Sequence, residues 1–129
     1  MPRRTKKREE GACDTLIEVK KDKISKDAVD AWFAEWQQRQ EAIHEAHSKR
    51  DKAVKELMQQ AIELYEQFIK DSSDESVIRT NETYEILPIN GMERLQFVKT
   101  RPGQYACYRQ LDELFVETKK RCARLRLKK

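Results

Sequence analysis

No glycine or proline occurs between Gly11 and Pro88, and the whole chain of 129 residues holds only three of each. Three scattered glycines cannot build a phosphate-cradling loop, which needs closely spaced glycines so that backbone N–H groups can approach the anion. The cysteines are Cys13, Cys107 and Cys122. Their odd number and wide spacing exclude a disulfide framework and zinc-ligand pairs, and fit a reducing compartment, cytoplasm or nucleus. No apolar run approaches the roughly 20 residues of a membrane span, and the N-terminus lacks the apolar core of a secretory signal. The expectation is an intracellular protein with no membrane contact. Apolar residues are scarce, at 38% against 39% charged, where an average domain has about 45–50% and 25%. Such a chain buries a modest core, and its mixed charge favours solvated helices over a globular enzyme.

The net positive charge sits at the ends. Residues 1–10 carry five cations and two carboxylates, residues 118–129 carry seven cations and no carboxylate, and the whole chain is +4. The 107 residues between therefore bear a net −6. Two basic ends on an acidic body point to a polyanionic partner, nucleic acid (RNA or DNA) foremost. The plain alternative is that the charged ends keep the chain soluble. The Pro2–Arg8 run also reads as a nuclear address or a nucleic-acid arm.

Residues 1–14 read as a flexible basic arm, and residues 15–129 as a single elongated domain. Thr15–Val19 has the composition of a short strand. From Ser25, a plausible N-cap followed by Asp27 and Asp30, to Asp71 the chain reads as helix with no break signal. At about 1.5 Å per residue this element is roughly 70 Å long if continuous. Its first turns place Val29, Trp32, Phe33 and Trp36 on one face. Trp32, Phe33 and Trp36, with Leu57, Ala61 and Phe68 further on, form a candidate protein-docking face; the alternative is a core contact. The apolar stripe thins from Gln37 to Lys52, which allows a turn at Ser48–Asp51, but the lack of Gly or Pro favours one continuous, coiled-coil-like helix with a homodimer along it. Asn90–Gly91 suits a type I′ turn of a β-hairpin over Thr83–Lys99, with Tyr84, Ile86, Leu95 and Phe97 on its apolar face. After Arg101–Pro102–Gly103, a basic amphipathic helix covers about 104–126, with Tyr108, Leu111, Phe115, Thr118, Cys122 and Leu125 on its stripe. The fold class is therefore mainly α with a small β element.

Catalytic chemistry finds little support. His44 and His47 are three apart, and Glu41–His44 has the Glu-x-x-His spacing of bundle metal sites, yet those need two such motifs and further carboxylates. No metal or cofactor is expected. Cys122 lies on the apolar stripe and Cys107 just before it, with no histidine nearby in sequence to activate either. The reading is a non-catalytic nucleic-acid-binding or ribonucleoprotein-associated subunit. Its phosphate-contacting residues are Arg3, Arg4, Lys6, Lys7 and Arg8 in the arm, Arg101 and Arg109 beside Tyr105 and Tyr108, and Lys119, Lys120, Arg121, Arg124, Arg126, Lys128 and Lys129 at the C-terminal end. The competing class is a coiled-coil scaffold or assembly subunit with protein partners alone.

Overall fold

A computed structural model describes residues 16–127. Four helices carry the fold: α1 (Lys26–Ser48), α2 (Val54–Ser73), α3 (Gly91–Thr100) and α4 (Tyr105–Leu127), with a 3-10 turn at Lys21–Lys23. Strands β1 (Leu16–Ile17) and β2 (Thr83–Tyr84) form a two-stranded parallel sheet in the register Leu16–Thr83 and Ile17–Tyr84. The molecule is mainly α with a small β element.

α1 begins where the N-cap signal stands, with the Ser25 hydroxyl accepting from Ala28 N at 3.2 Å. It does not run on to Asp71. The chain leaves the helix at Ser48, and residues 49–53 turn it back on itself. Arg50 takes the left-handed conformation at φ 54°, the amide of Asp51 donates back to Ala46 O at 2.8 Å, and Arg50 N donates to His47 O. This is the helix-ending motif that glycine normally serves. The Asp51 carboxylate accepts from Ala53 N at 2.9 Å and starts α2. Asp74 (φ 57°) closes α2 in the same way, with Glu75 N donating to Lys70 O. The continuous helix of roughly 70 Å is thus replaced by an antiparallel pair, and the seam proposed for a homodimer is occupied within the chain.

Burial of aromatic surface drives the fold-back. Trp36 of α1 stacks on Phe115 of α4, centroids 4.3 Å apart and planes 2° off parallel. Trp32 stacks on Phe68 of α2 at 4.1 Å and on Phe115 at 4.9 Å, and Tyr65 meets Phe115 edge-on at 5.1 Å. Trp32, Trp36 and Ala61 are therefore core, and Phe68 lies half-buried against Trp32. The expected docking face is corrected accordingly: only Phe33 and Leu57 also keep partial exposure. α4 runs antiparallel to α1, since Trp36 Nε1 and Gln40 Nε2 both donate to Asp112 while Lys119 reaches Phe33. Thr118, the polar member of the α4 stripe, is fully buried and meets the Tyr65 hydroxyl at 2.7 Å. Burial pushes the Tyr65 phenol well above its ordinary pKa, so the pair stays neutral.

The hairpin is also corrected. Asn90–Gly91 starts α3: Gly91 N donates to Pro88 O and Arg94 N to Asn90 O. Along α3, Gly91, Leu95 and Val98 face the core with helical spacing, whereas Phe97, assigned to the hairpin's apolar face, is half-exposed. Asn90 does take positive φ (54°), as a turn residue would. Gly91 is needed for close approach instead, because a Cβ there would lie 2.9 Å from Leu87 Cβ. α3 packs on α4 through Arg94, which binds Glu117 bidentately at 2.9 and 2.8 Å.

Two stability outcomes follow from these contacts. Arg50→Gly removes the left-handed strain at the α1–α2 turn and raises stability by about 1 kcal/mol, read as a higher Tm. Thr118→Val leaves the Tyr65 hydroxyl buried without its partner and costs about 1–3 kcal/mol in denaturant unfolding, while adding Tyr65→Phe recovers part of that loss.

Candidate nucleic-acid interface

The antiparallel packing of α4 on α1 gathers cations that are far apart in sequence. The last turns of α4 carry Lys119, Lys120, Arg121, Arg124 and Arg126, and Lys119, Lys120 and Arg126 come to lie beside the start of α1. Arg126 donates to Ile24 O at 3.0 Å, which ties the two segments together. Lys26 is exposed beside them, whereas Lys20 donates its amide to Ser72 O and lines a separate groove with Glu18, Asp74, Glu75 and Glu82, which offset its charge. The N-terminus of α1 faces this end too, adding its partial positive charge.

Between α1 and α4 at this end runs a groove of about 450 Å³, with Val29, Phe33, Val116 and Ala123 as its apolar floor. Lys26, Lys119, Lys120 and Arg126 stand around it with one carboxylate, Asp30. Lys26 pairs with Asp30 at 2.7 Å. Its hydrogen bond holds the Asp30 carboxyl below the ordinary range, opposed by burial, with the charges of Lys119 and Arg126 acting in the same direction as Lys26. Lys119 Nζ lies 4.4 Å from the Phe33 ring centroid. Lys120 and Arg124 project into solvent. Arg121 turns the other way: its guanidinium donates to Glu85 O and lines a separate groove with Leu87, Pro88, Ile89 and Met92.

The sequence-derived cations therefore divide. Lys119, Lys120, Arg124 and Arg126 share one end. Arg121 braces the β2–α3 connection. Arg101 and Arg109 are exposed at the opposite end of α4, with Arg109 about 22 Å from Arg124 along the axis. There Tyr108 is buried and Tyr105 half-exposed, both packed on His47, and Glu41 and Glu45 line the same groove as Arg109. Those carboxylates offset Arg109 as a phosphate contact. Burial, with the charge of His44 second, lowers the His47 pKa. Cys107 and Cys122 are both buried, and burial pushes their thiols up, Cys122 to about 12, the direction opposite to nucleophile activation. Arg3, Arg4, Lys6, Lys7, Arg8, Lys128 and Lys129 lie outside the described residues. Lys26 was missed by sequence reasoning. Its only signal was a lysine directly after an N-cap, which says nothing of where α4 ends.

The described residues thus define a small helical bundle with a cation-edged groove between α1 and α4. Residues 26–129 match the YpoC-like protein family, and the chain belongs to that family. A stretch of 38 residues is 50% identical to the protein described as "Uncharacterized protein YpoC" of Bacillus subtilis (strain 168), covering 30% of this chain and 23% of that relative. No solved structure matches the chain. Among the described residues, no helix is long and apolar enough to cross a membrane.

Asp30→Asn tests the electrostatic description of the groove independently of any ligand. Lys26 and Asp30 are solvent-exposed partners, so losing the pair leaves the unfolding transition close to that of the wild type. The Lys26 pKa, raised first by its hydrogen bond to Asp30, moves back toward the ordinary lysine value in an NMR titration of the variant.

Proposed function

We propose that this protein is a non-catalytic nucleic-acid-binding subunit working in a reducing compartment, and that its cationic end contacts the phosphates. The observation that carries this reading is the convergence of Lys26, Lys119, Lys120 and Arg126 around one groove, with Arg124 exposed on the same last turns of α4, from two segments about 100 residues apart. Clustered lysine and arginine on one face is the electrostatic footprint of a phosphate-binding surface. Burial pushes the Cys107 and Cys122 thiols up, away from nucleophile activation, which supports the non-catalytic part of this reading. The opposite end and the exposed parts of α2 remain available for protein partners in a larger assembly.

Truncation is a poor test, because Leu125 is core and Arg126 is bonded to Ile24 O. Charge substitution is better. Lys119→Gln, Lys120→Gln and Arg124→Gln combined remove three cations while keeping the helix. Measured on DNA, RNA and heparin, the slope of log affinity against log salt becomes shallower by roughly 2–3 units. A wild-type protein that binds none of these at low salt sinks the reading, and a scaffold role with protein partners alone takes its place.

A further inference from the structure

The groove at the cationic end has a feature that phosphate binding alone does not require, an apolar floor with an accessible aromatic ring. Phe33 is half-buried there, while its neighbours on the same helix face, Trp32 and Trp36, are turned into the core. Val29, Val116 and Ala123 extend the floor, and Lys119, Lys120 and Arg126 stand at its edge. A phosphodiester gains from the cations and nothing from the ring. A duplex keeps its base faces stacked inside and offers the ring nothing either. An unpaired nucleotide presents both an anion and an apolar base face, and aromatic stacking beside cations is how single strands are held. The groove volume of about 450 Å³ falls in the range of small-ligand sites, roughly 300–1,000 Å³.

We propose that the α1–α4 groove is a subsite for one unpaired nucleotide of a single strand, its base against Phe33 and its flanking phosphates on Lys119, Lys120 and Arg126. This rests on the nucleic-acid reading above and specifies its substrate as single-stranded. The Lys119 ammonium now over the Phe33 ring is the group that must give way. A cation over a partly exposed ring is weakly held, and a phosphate at the groove edge offers it a stronger partner. Asp30 stays neutralised by Lys26.

The test compares a labelled single-stranded oligonucleotide of about 12 residues with a duplex of the same length, by anisotropy at one low salt concentration. The proteins are wild type, Phe33→Leu and Phe33→Trp, with thermal unfolding as the folding control. Phe33→Leu is expected to weaken single-strand binding by about 5- to 100-fold while the duplex changes less than about twofold. Phe33→Trp keeps or strengthens the single-strand preference. An equal effect of Phe33→Leu on both nucleic acids, or on neither, overturns the subsite while leaving the nucleic-acid reading in place. If Phe33→Leu does not fold, Phe33→Trp decides, and a lower single-strand preference than wild type overturns the proposal. Phe33-dependent binding of an acidic amphipathic peptide without single-strand preference also overturns it. Wild type that binds neither nucleic acid removes both readings at once.

Discussion

Trp36 and Phe115 lie face to face across α1 and α4, and Trp32 extends the stack to Phe68 and Tyr65 of α2. The rest of the molecule depends on this contact. A chain with 39% charged residues has few places where it can bury much apolar area, and aromatic side chains remove about 150–250 Å² each from water. Gathering five rings from three helices supplies a core that the thin aliphatic pattern could not. It also requires that α1 and α2 be antiparallel neighbours, because no straight helix brings Trp32 onto Phe68. The turn between them is bent without glycine, and the strain of one left-handed arginine, about 1–2 kcal/mol, is small beside that burial.

The same stack sets the electrostatics. With Phe115 held on Trp36 and α4 antiparallel to α1, the last turns of α4 must lie beside Ile24 and Lys26. Cations that are merely C-terminal in sequence become part of one groove edge with Lys26. The opposite end of α4 places Arg109 beside Glu41 and Glu45, where its charge is offset. The difference between the two α1–α4 grooves is therefore a product of packing direction: one gathers Lys26, Lys119, Lys120 and Arg126 around a single carboxylate, and the other sets Arg109 against two.

Membership of the YpoC-like family covers all four helices, since the match runs from Lys26 onward. The family resemblance thus extends over both sides of the α1–α4 groove. It carries no named activity, so the functional argument stands on the charge cluster and the ring at its centre.

Local signals determined a good deal. Ser25 was legible as an N-cap because its hydroxyl serves its own helix, and the start of α4 after Pro102–Gly103 was legible because proline and glycine act on their own backbone. The mainly helical class followed from periodicity, as did burial of Leu111, Phe115, Cys122 and Leu125. Where two local readings competed, only the tertiary structure decided. Asn90–Gly91 fits a hairpin turn and a helix start equally well, and Leu95 fits both a strand face and a helix face. Packing on α4 through the Arg94–Glu117 pair selected the helix. The lack of glycine near Ser48 argued against a turn, yet Arg50 makes one, because the aromatic core returns more than the local strain costs. The candidate site was half legible: charge density at the C-terminus can be read along the chain, but its union with Lys26 and Phe33 cannot, because it depends on contacts between residues about 100 positions apart, and a sequence records no distances between such positions.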